Sequence, residues 1–122
     1  MKLLIVDDSD LLQDRLCHAI ADANKTICIA QAYSFKEGLA LFSIFEPDKV
    51  ILDIALPDGS GINLLRIFKT DKPSVKVIIF TNYPTSEFKK SCMELGADHF
   101  FDKSNLGSIL KYVNENSYDR SV

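Results

Sequence analysis

The chain has 122 residues, a length that fits one domain, and its 47% hydrophobic and 25% charged content excludes intrinsic disorder and collagen-like structure. The formal net charge is −3 and no basic run is longer than Lys89-Lys90, which argues against nucleic-acid binding by this domain. Apolar runs are too short for a membrane span or a secretory signal. We therefore expect one domain over residues 1–122, with a polar tail that frays from about Asn114.

Short apolar runs alternate five times with stretches of helical periodicity. The predicted strands cover residues 3–6, 26–32, 50–52, 75–80 and 97–101. Capping residues and helix breakers occur where the intervening helices should begin and end, namely Ser9, Ser34, Pro47, Thr85 and Gly96. The fourth helix is predicted to bury Phe88, Cys92 and Leu95, and residues 56–61 form a turn cluster. Strands alternating with helices at this spacing predict an α/β fold, a parallel sheet between two helical layers.

Polar side chains follow four of the predicted strands. They are Asp7, Asp8, Asp53, Thr81 and Lys103. In an open parallel sheet the carboxyl ends of the strands form the ligand-binding edge, so these side chains should converge there. Three neighbouring carboxylates repel one another unless a cation intervenes, and hard oxygen ligands suit Mg²⁺. A metal held in this way can neutralise a phosphoryl group while one carboxylate acts as the nucleophile.

The strand-end motifs together resemble the receiver domain of bacterial two-component response regulators. They are Val6-Asp7-Asp8, Leu52-Asp53, Leu56-Pro57 with Gly61, Phe80-Thr81 and Asp102-Lys103. Each motif is weak alone, but five in order at predicted strand ends are specific, and the resemblance covers residues 2–113. It implies a three-layer αβα sandwich, the flavodoxin-like (βα)5 fold, with sheet order 2-1-3-4-5.

By this resemblance, Asp53 is the phosphoacceptor of a signalling switch, and a sensor histidine kinase or a phosphotransfer protein donates the phosphoryl group. Asp8 would ligate Mg²⁺ directly, and Asp7 directly or through water. Asp53 and the backbone carbonyl of Ala55 would complete the protein ligands, and Mn²⁺ could replace Mg²⁺. Such a domain catalyses its own phosphorylation and dephosphorylation but is not a turnover enzyme.

The resemblance also assigns a conformational switch and its partners. Thr81 would hydrogen-bond the aspartyl phosphate and move toward it, Lys103 would pair with it, and Phe100 would be the aromatic ring that turns inward. A downstream protein would bind the face formed by the last two helices and the fifth strand, and that face could also form a homodimer on phosphorylation.

The cysteines indicate the compartment. Cys17, Cys28 and Cys92 are odd in number and scattered, which argues against a disulfide framework and a zinc site. A reducing cytoplasm is the expected setting.

The chain departs from the family pattern at three places. Asn82 and Tyr83 follow the threonine where a small residue is usual, and with Ala55 they are expected to change the lifetime of the phosphoaspartate. Ser104 follows the lysine where proline is common, so the Lys103-Ser104 bond is either cis at a cost of about 3–4 kcal/mol or trans, with Ser104 free to cap the last helix. Phe100 lacks the hydroxyl that a tyrosine would carry.

Other interpretations remain open for each residue and for the whole chain. Asp7 or Asp8 could cap the first helix, Phe100 could be a core residue, and His18 and His99 are expected at the surface or its boundary without a Ser-His-Asp triad. The domain could instead be a phosphorylation-independent interaction module on the same fold. It could also be a small hydrolase with an aspartyl nucleophile, although little chain is left for the cap that such enzymes need.

Overall fold

The computed structural model describes residues 1–116, in which strands and helices alternate except where a short hairpin follows the third strand. The strands are β1 (Lys2–Val6), β2 (Cys28–Ala32), β3 (Lys49–Leu52), β4 (Ala55–Leu56), β5 (Gly59–Ser60), β6 (Lys76–Thr81) and β7 (His99–Asp102). The helices are α1 (Asp10–Ala23), α2 (Phe35–Phe45), α3 (Gly61–Asp71), α4 (Ser86–Glu94) and α5 (Leu106–Asn116).

The five longer strands form one parallel sheet in the order β2-β1-β3-β6-β7. Counting only these strands, the order is the predicted 2-1-3-4-5. The chain leaves β1 toward β2 on one side and returns to β3 on the other side, so the direction of winding reverses between β1 and β3. In such sheets a crevice opens at the carboxyl ends of the strands beside the reversal.

The sheet carries a separate apolar cluster on each face. Leu4 and Val6 of β1 pack in the cluster that includes residues of α2, α3 and α4, whereas Leu3 and Ile5 pack in the cluster with α1 and α5. This alternation follows from the two-residue period of a strand, and burial on both faces explains why the strands are continuous apolar runs. The predicted three-layer architecture is therefore confirmed.

Helix boundaries largely follow the predicted caps. The hydroxyls of Ser9, Ser34 and Thr85 each accept a hydrogen bond from the backbone N–H three residues later, at 3.1–3.2 Å. Gly96 follows α4 with φ = 100°, a left-handed conformation that glycine adopts without strain. The prediction that α4 buries Phe88 was wrong: that ring is 37% exposed, and Cys92 is the residue of α4 that is fully buried.

Three predicted strands begin one or two residues too early. The fourth strand covers Lys76–Thr81 and not residues 75–80, because the Val75 N–H bonds to Lys72 O in a turn. The second strand begins at Cys28 and not at Thr26, because the Thr26 N–H and hydroxyl both bond to Asn24 Oδ1 in a turn. The fifth strand covers His99–Asp102 and not residues 97–101, because the Ala97 N–H still bonds to the helix carbonyl of Cys92.

The connection from β7 to α5 settles the predicted alternatives at Ser104. Every peptide bond within residues 1–116 is trans, including Lys103-Ser104. Ser104 donates its N–H to Asp102 Oδ1 at 3.0 Å in a turn, and α5 begins later, at Leu106, so Ser104 is not its N-cap. The helix runs three residues into the predicted polar tail, and the remainder of that tail lies outside the described residues. Within residues 1–116 no helix has the length and hydropathy of a bilayer span.

The predicted turn cluster after β3 is a small antiparallel hairpin, β4 with β5, that is fastened to α2. The carboxylate of Asp58 accepts hydrogen bonds from the N–H groups of Phe35, at 2.6 Å, and Lys36, at 3.1 Å. These bonds hold the pKa of Asp58 below its ordinary value. An aspartate from a distant loop thus satisfies two free N–H groups at the start of a helix.

Gly61 begins α3 at a point where the backbone passes very close to Asp53. Its N–H donates to the carbonyl of Ile54 at 2.7 Å, and a Cβ atom at this position would lie 1.9 Å from the carbonyl oxygen of Asp53. No side chain fits without moving the backbone. The glycine of the sequence motif therefore shapes the loop that carries Asp53.

We expect Gly61→Ala to lower the free energy of unfolding by about 2 kcal/mol or more, because the added methyl group would displace the Asp53 backbone. Gly107→Ala is the matched control, since a Cβ at Gly107 has nothing within 4 Å and should stabilise α5 by about 0.5 kcal/mol. Urea unfolding measures both. A Gly61→Ala variant as stable as the wild type would contradict the close approach.

Candidate functional site

The predicted site residues lie at the carboxyl ends of the sheet strands, around the reversal point. Asp7 and Asp8 follow β1, Asp53 follows β3, Thr81 ends β6 and Lys103 follows β7. The backbones of Asp7 and Asp53 continue the hydrogen bonding of the sheet: Asp7 N–H donates to Ala32 O and Asp53 N–H donates to Val6 O, both at 3.0 Å. The sheet itself therefore sets the spacing of the two buried carboxylates.

The three aspartates form one acidic cluster. One carboxylate oxygen from each of Asp7, Asp8 and Asp53 lies within 4.8 Å of the others. Asp7 and Asp53 are buried, with 2% and 5% exposure, whereas Asp8 is exposed. Oxygen ligands that are anchored on one side and open to water on the other fit Mg²⁺, which keeps several of its waters. The donor set could hold Mg²⁺ or Mn²⁺.

The ammonium group of Lys103 lies between two of these carboxylates. Its Nζ atom is 2.8 Å from Asp7 Oδ2 and 3.0 Å from Asp53 Oδ2, and its side chain is only 12% exposed. Asp7 Oδ1 also accepts the N–H of Ser9 at 2.9 Å. The lysine predicted from the motif thus reaches the acidic cluster directly and neutralises part of its charge.

Burial and neighbouring charges shift the titration of this pair. Burial, above all, raises the pKa of Asp53, and the negative charge of Asp7 adds to the rise, while Lys103 and the N–H of Ala55 oppose it. For Lys103, burial alone would lower the pKa, but its hydrogen bonds to Asp7 and Asp53 outweigh burial and raise it. The ammonium therefore stays charged, and the ionised form of Asp53 is held at a cost to folding.

Thr81 is fully buried at the end of β6 and connects two loops of the site. Its hydroxyl accepts the N–H of Tyr83 at 3.0 Å, and its carbonyl accepts the N–H of Lys103 at 2.9 Å. Asn82 is exposed, and the ring of Tyr83 is 54% exposed. The two bulky residues after the threonine therefore stand at the solvent side of this edge.

Other predicted residues lie in less decisive surroundings. Phe100 is half-buried and packs against the core cluster on the α2–α4 side. Ala55 is exposed, and the metal contact predicted for its carbonyl stays a prediction. His18 is exposed and His99 is half-buried, as expected for residues at the surface and its boundary.

One buried residue near the site was missed in the sequence, namely Gln13 of α1. Its side chain is fully buried and bonds to backbone carbonyls at the ends of β1 and β2. The available signal was spacing: positions 13, 16 and 20 lie on one helical face, and Leu16 and Ile20 are core residues. A polar residue in such a series points to a buried hydrogen-bonding role.

Comparison with known proteins gives consistent matches. A family model for the response regulator receiver domain matches residues 3–114. The DNA-binding transcriptional activator DevR/DosR of Mycobacterium tuberculosis is 28% identical over 110 residues, which are 90% of this chain and 51% of that protein. Protein CcdB of Bacillus subtilis is 30% identical over 102 residues, 84% of each chain.

Solved structures with the same fold also match this chain. A CheY-like response regulator receiver domain protein from Methanospirillum hungatei JF-1 superposes with a TM-score of 0.88 and 26% identity, covering 98% of this chain and 95% of that one. The chain spans about half the length of several curated relatives that it matches.

We expect Asp53→Asn to raise the melting temperature of the metal-free protein at neutral pH, because folding raises the pKa of Asp53 and its ionised form opposes folding. Below about pH 3.9, the unfolded-state value, Asp53 is protonated in both states and the gain vanishes. The gain should grow as the pH rises through the folded-state pKa and then stay constant. Thermal melts with a chelator from pH 3.5 to 8 measure it.

Asp8→Asn is the control for this prediction, since Asp8 is the exposed member of the acidic cluster and water screens its charge. Its gain should be smaller than that of Asp53→Asn. A melting temperature that is unchanged or lower in Asp53→Asn would show that the buried carboxylate does not oppose folding.

Proposed function

This chain belongs to the response regulator receiver domain family, and we propose that it is a phosphorylation-dependent switch whose phosphoacceptor is Asp53. The observation that carries the proposal is the meeting of Asp53 with Lys103, at 3.0 Å, inside the acidic cluster. A carboxylate that lies among oxygen atoms able to ligate a metal, and that an ammonium group contacts, has the groups that phosphoryl transfer needs.

In the proposed reaction a carboxylate oxygen of Asp53 attacks the phosphorus of a phosphohistidine. The new O–P bond forms as the P–N bond breaks, and the histidine of the kinase or phosphotransfer protein leaves with the bonding pair and takes up a proton. Lys103, already within hydrogen-bond distance of Asp53, would follow the charge from the carboxylate to the phosphoryl oxygens.

Asp7, Asp8 and Asp53 are the side chains that would hold Mg²⁺ or Mn²⁺, with the carbonyl of Ala55 as a further ligand. The ion would supply positive charge to the phosphoryl oxygens. In the structure, Lys103 supplies positive charge to the cluster, because it bonds to Asp7 as well as to Asp53. Its contact with Asp7 would have to loosen for Asp7 to ligate a metal directly.

The proposed output is conformational. Thr81 would turn its hydroxyl to the aspartyl phosphate, and since that hydroxyl is bonded to Tyr83, the residues after β6 would follow. Phe100 of β7 would then change its packing. A downstream partner, or a second copy of the chain, would read the face formed by α4, β7 and α5. The cytoplasm stays the proposed compartment, in keeping with three free thiols.

We expect incubation with acetyl phosphate and Mg²⁺ to add one phosphoryl group, about 80 Da, to the intact protein, because Asp53 alone of the cluster is the proposed acceptor. Asp53→Asn should remove the added mass, while Asp58→Asn, a carboxylate at the other end of the same hairpin, should keep it. Intact mass spectrometry with and without a chelator makes the measurement.

The remaining outcomes separate the alternatives. Steady donor hydrolysis without accumulation of the phosphoprotein would indicate a hydrolase with an aspartyl nucleophile. If the protein gains no mass and hydrolyses no donor, whether or not it binds Mg²⁺, the result would indicate a phosphorylation-independent interaction module.

We expect Asn82→Ala and Tyr83→Ala to shorten the half-life of the phosphorylated protein, because the two exposed side chains stand between the site edge and water. A threefold loss corresponds to roughly 0.7 kcal/mol in the hydrolysis barrier. The measurement is the decay of the phosphoprotein mass after the donor is removed. Glu87→Ala, an exposed change in the first turn of α4, is the control and should leave the half-life as it is. Unaltered decay in both Asn82→Ala and Tyr83→Ala would contradict the shielding role.

A further inference from the structure

Gln13 is a polar side chain with no exposed surface, on the face of α1 that covers the sheet. It is the fourth residue of the helix, and its backbone N–H makes the first helical hydrogen bond, to Ser9 O at 3.0 Å. The backbone of Gln13 is therefore held by the helix itself, and its side chain extends from there toward the ends of β1 and β2.

The amide of Gln13 is fully engaged. Its Nε2 atom lies within hydrogen-bond distance of three backbone carbonyls, those of Ile5 at 3.1 Å, Asp7 at 3.1 Å and Ala32 at 2.9 Å, so its two N–H groups are shared among three acceptors. Its Oε1 atom accepts the side-chain N–H of Gln31 at 3.1 Å. Three acceptors around one end of the amide and a donor at the other define its orientation.

The Asp7 carbonyl is the informative one of these acceptors. It belongs to the peptide unit that joins Asp7 to Asp8, so its direction sets how the two aspartates are presented. The registered pairs of β1 end at Val6, one residue earlier, and Gln13 supplies a donor beyond them. Ala32 O, which also accepts the Asp7 N–H, is held by the same amide group.

The contact of Gln13 with the Asp7 carbonyl matters because the neighbouring carboxylates repel one another. Asp7 and Asp8 are adjacent in the chain and share the acidic cluster with Asp53, so their charges tend to separate them. Lys103 and the Ser9 N–H hold the Asp7 carboxylate, but neither fixes the peptide between the two aspartates. The Gln13 amide does so, and it approaches from the interior, where water cannot replace it.

We propose that Gln13 is a positioning residue for the cation site: by holding the Asp7–Asp8 peptide, it sets the affinity of the acidic cluster for a divalent cation. The inference rests on the proposed function, in which this cluster binds Mg²⁺. Ligand-supporting groups outside the coordination shell commonly change metal affinity by 10- to 100-fold when removed.

The experiment compares Gln13→Met with the wild type. Methionine matches the length of glutamine and removes both donors and the acceptor. Mg²⁺ is titrated into ¹⁵N-labelled protein, and the dissociation constant is read from the backbone amide shifts of the site, while urea unfolding gives the stability of each variant. We expect the dissociation constant to rise about tenfold in Gln13→Met.

Two matched controls separate positioning from general destabilisation. Gln31→Met removes the bond to Gln13 Oε1 but leaves the contacts of Nε2 with the three carbonyls. Ile20→Val lowers stability by about 0.5–1.5 kcal/mol from the same face of α1, two turns away from the site. Both should change the Mg²⁺ dissociation constant less than twofold. An equal loss of affinity in Ile20→Val would overturn the positioning role.

The wild-type protein provides a test that does not depend on any variant folding. The side-chain NH₂ of Gln13 should exchange with solvent far more slowly than that of exposed Asn82, and its resonances should shift on addition of Mg²⁺. Exchange as fast as that of Asn82, or wild-type affinity in folded Gln13→Met, overturns the inference. Wild-type protein without any Mg²⁺ binding would instead overturn the magnesium site of the proposed function.

Discussion

The contact of one ammonium group with two buried carboxylates governs the edge of this sheet. Asp7 and Asp53 project from neighbouring strands at a distance set by backbone hydrogen bonds, and neither can retreat without breaking them. Lys103 comes from the far edge strand and reaches both, at 2.8 and 3.0 Å. Without a cation, two buried carboxylate charges would strongly destabilise the folded state. Lys103 offsets part of this effect, and the pKa of Asp53 is still raised because burial outweighs the contact with Lys103. The site is thus built to hold positive charge, from its own lysine or from a metal.

The positions of these groups follow from how the chain is wound. β1 and β3 are adjacent because the chain turns back after β2, and this places the aspartates after both strands at the reversal point. Loops fix the details. The hydroxyl of Thr81 is tied to Tyr83 and its carbonyl to Lys103, so the β6 and β7 ends share hydrogen bonds. Gln13 does the same for the β1 and β2 ends from the helix above them.

Much of this arrangement could be predicted from the sequence, because the sheet is buried on both faces and its strands are therefore plain apolar runs. The fold, the sheet order and the meeting of the three aspartates with Lys103 were predicted on that basis and from the family resemblance. Side-chain effects over long sequence distances were not. Nothing local marks Asp58 as the acceptor for two N–H groups at the start of α2, 23 and 22 residues earlier in the chain, or Gln13 as the partner of three carbonyls. Boundaries failed where a turn bond, such as Thr26 with Asn24, competed with strand propensity.

The fastening of the β4–β5 hairpin divides the site into unequal halves. On one side, Asp53 is followed by a loop that is pinned by Asp58 to α2 and closed by a glycine with no room for a methyl group. On the other side, the residues after Thr81 are exposed and carry no such anchor to a second helix in the described chain. A charge added at Asp53 would then face a loop that is anchored to α2 on one side. On the α4 side it would face a loop that lacks such an anchor within residues 1–116. A rearrangement that starts at Asp53 would then break fewer side-chain anchors between loop and helix on the α4 side of the site than on the α2 side.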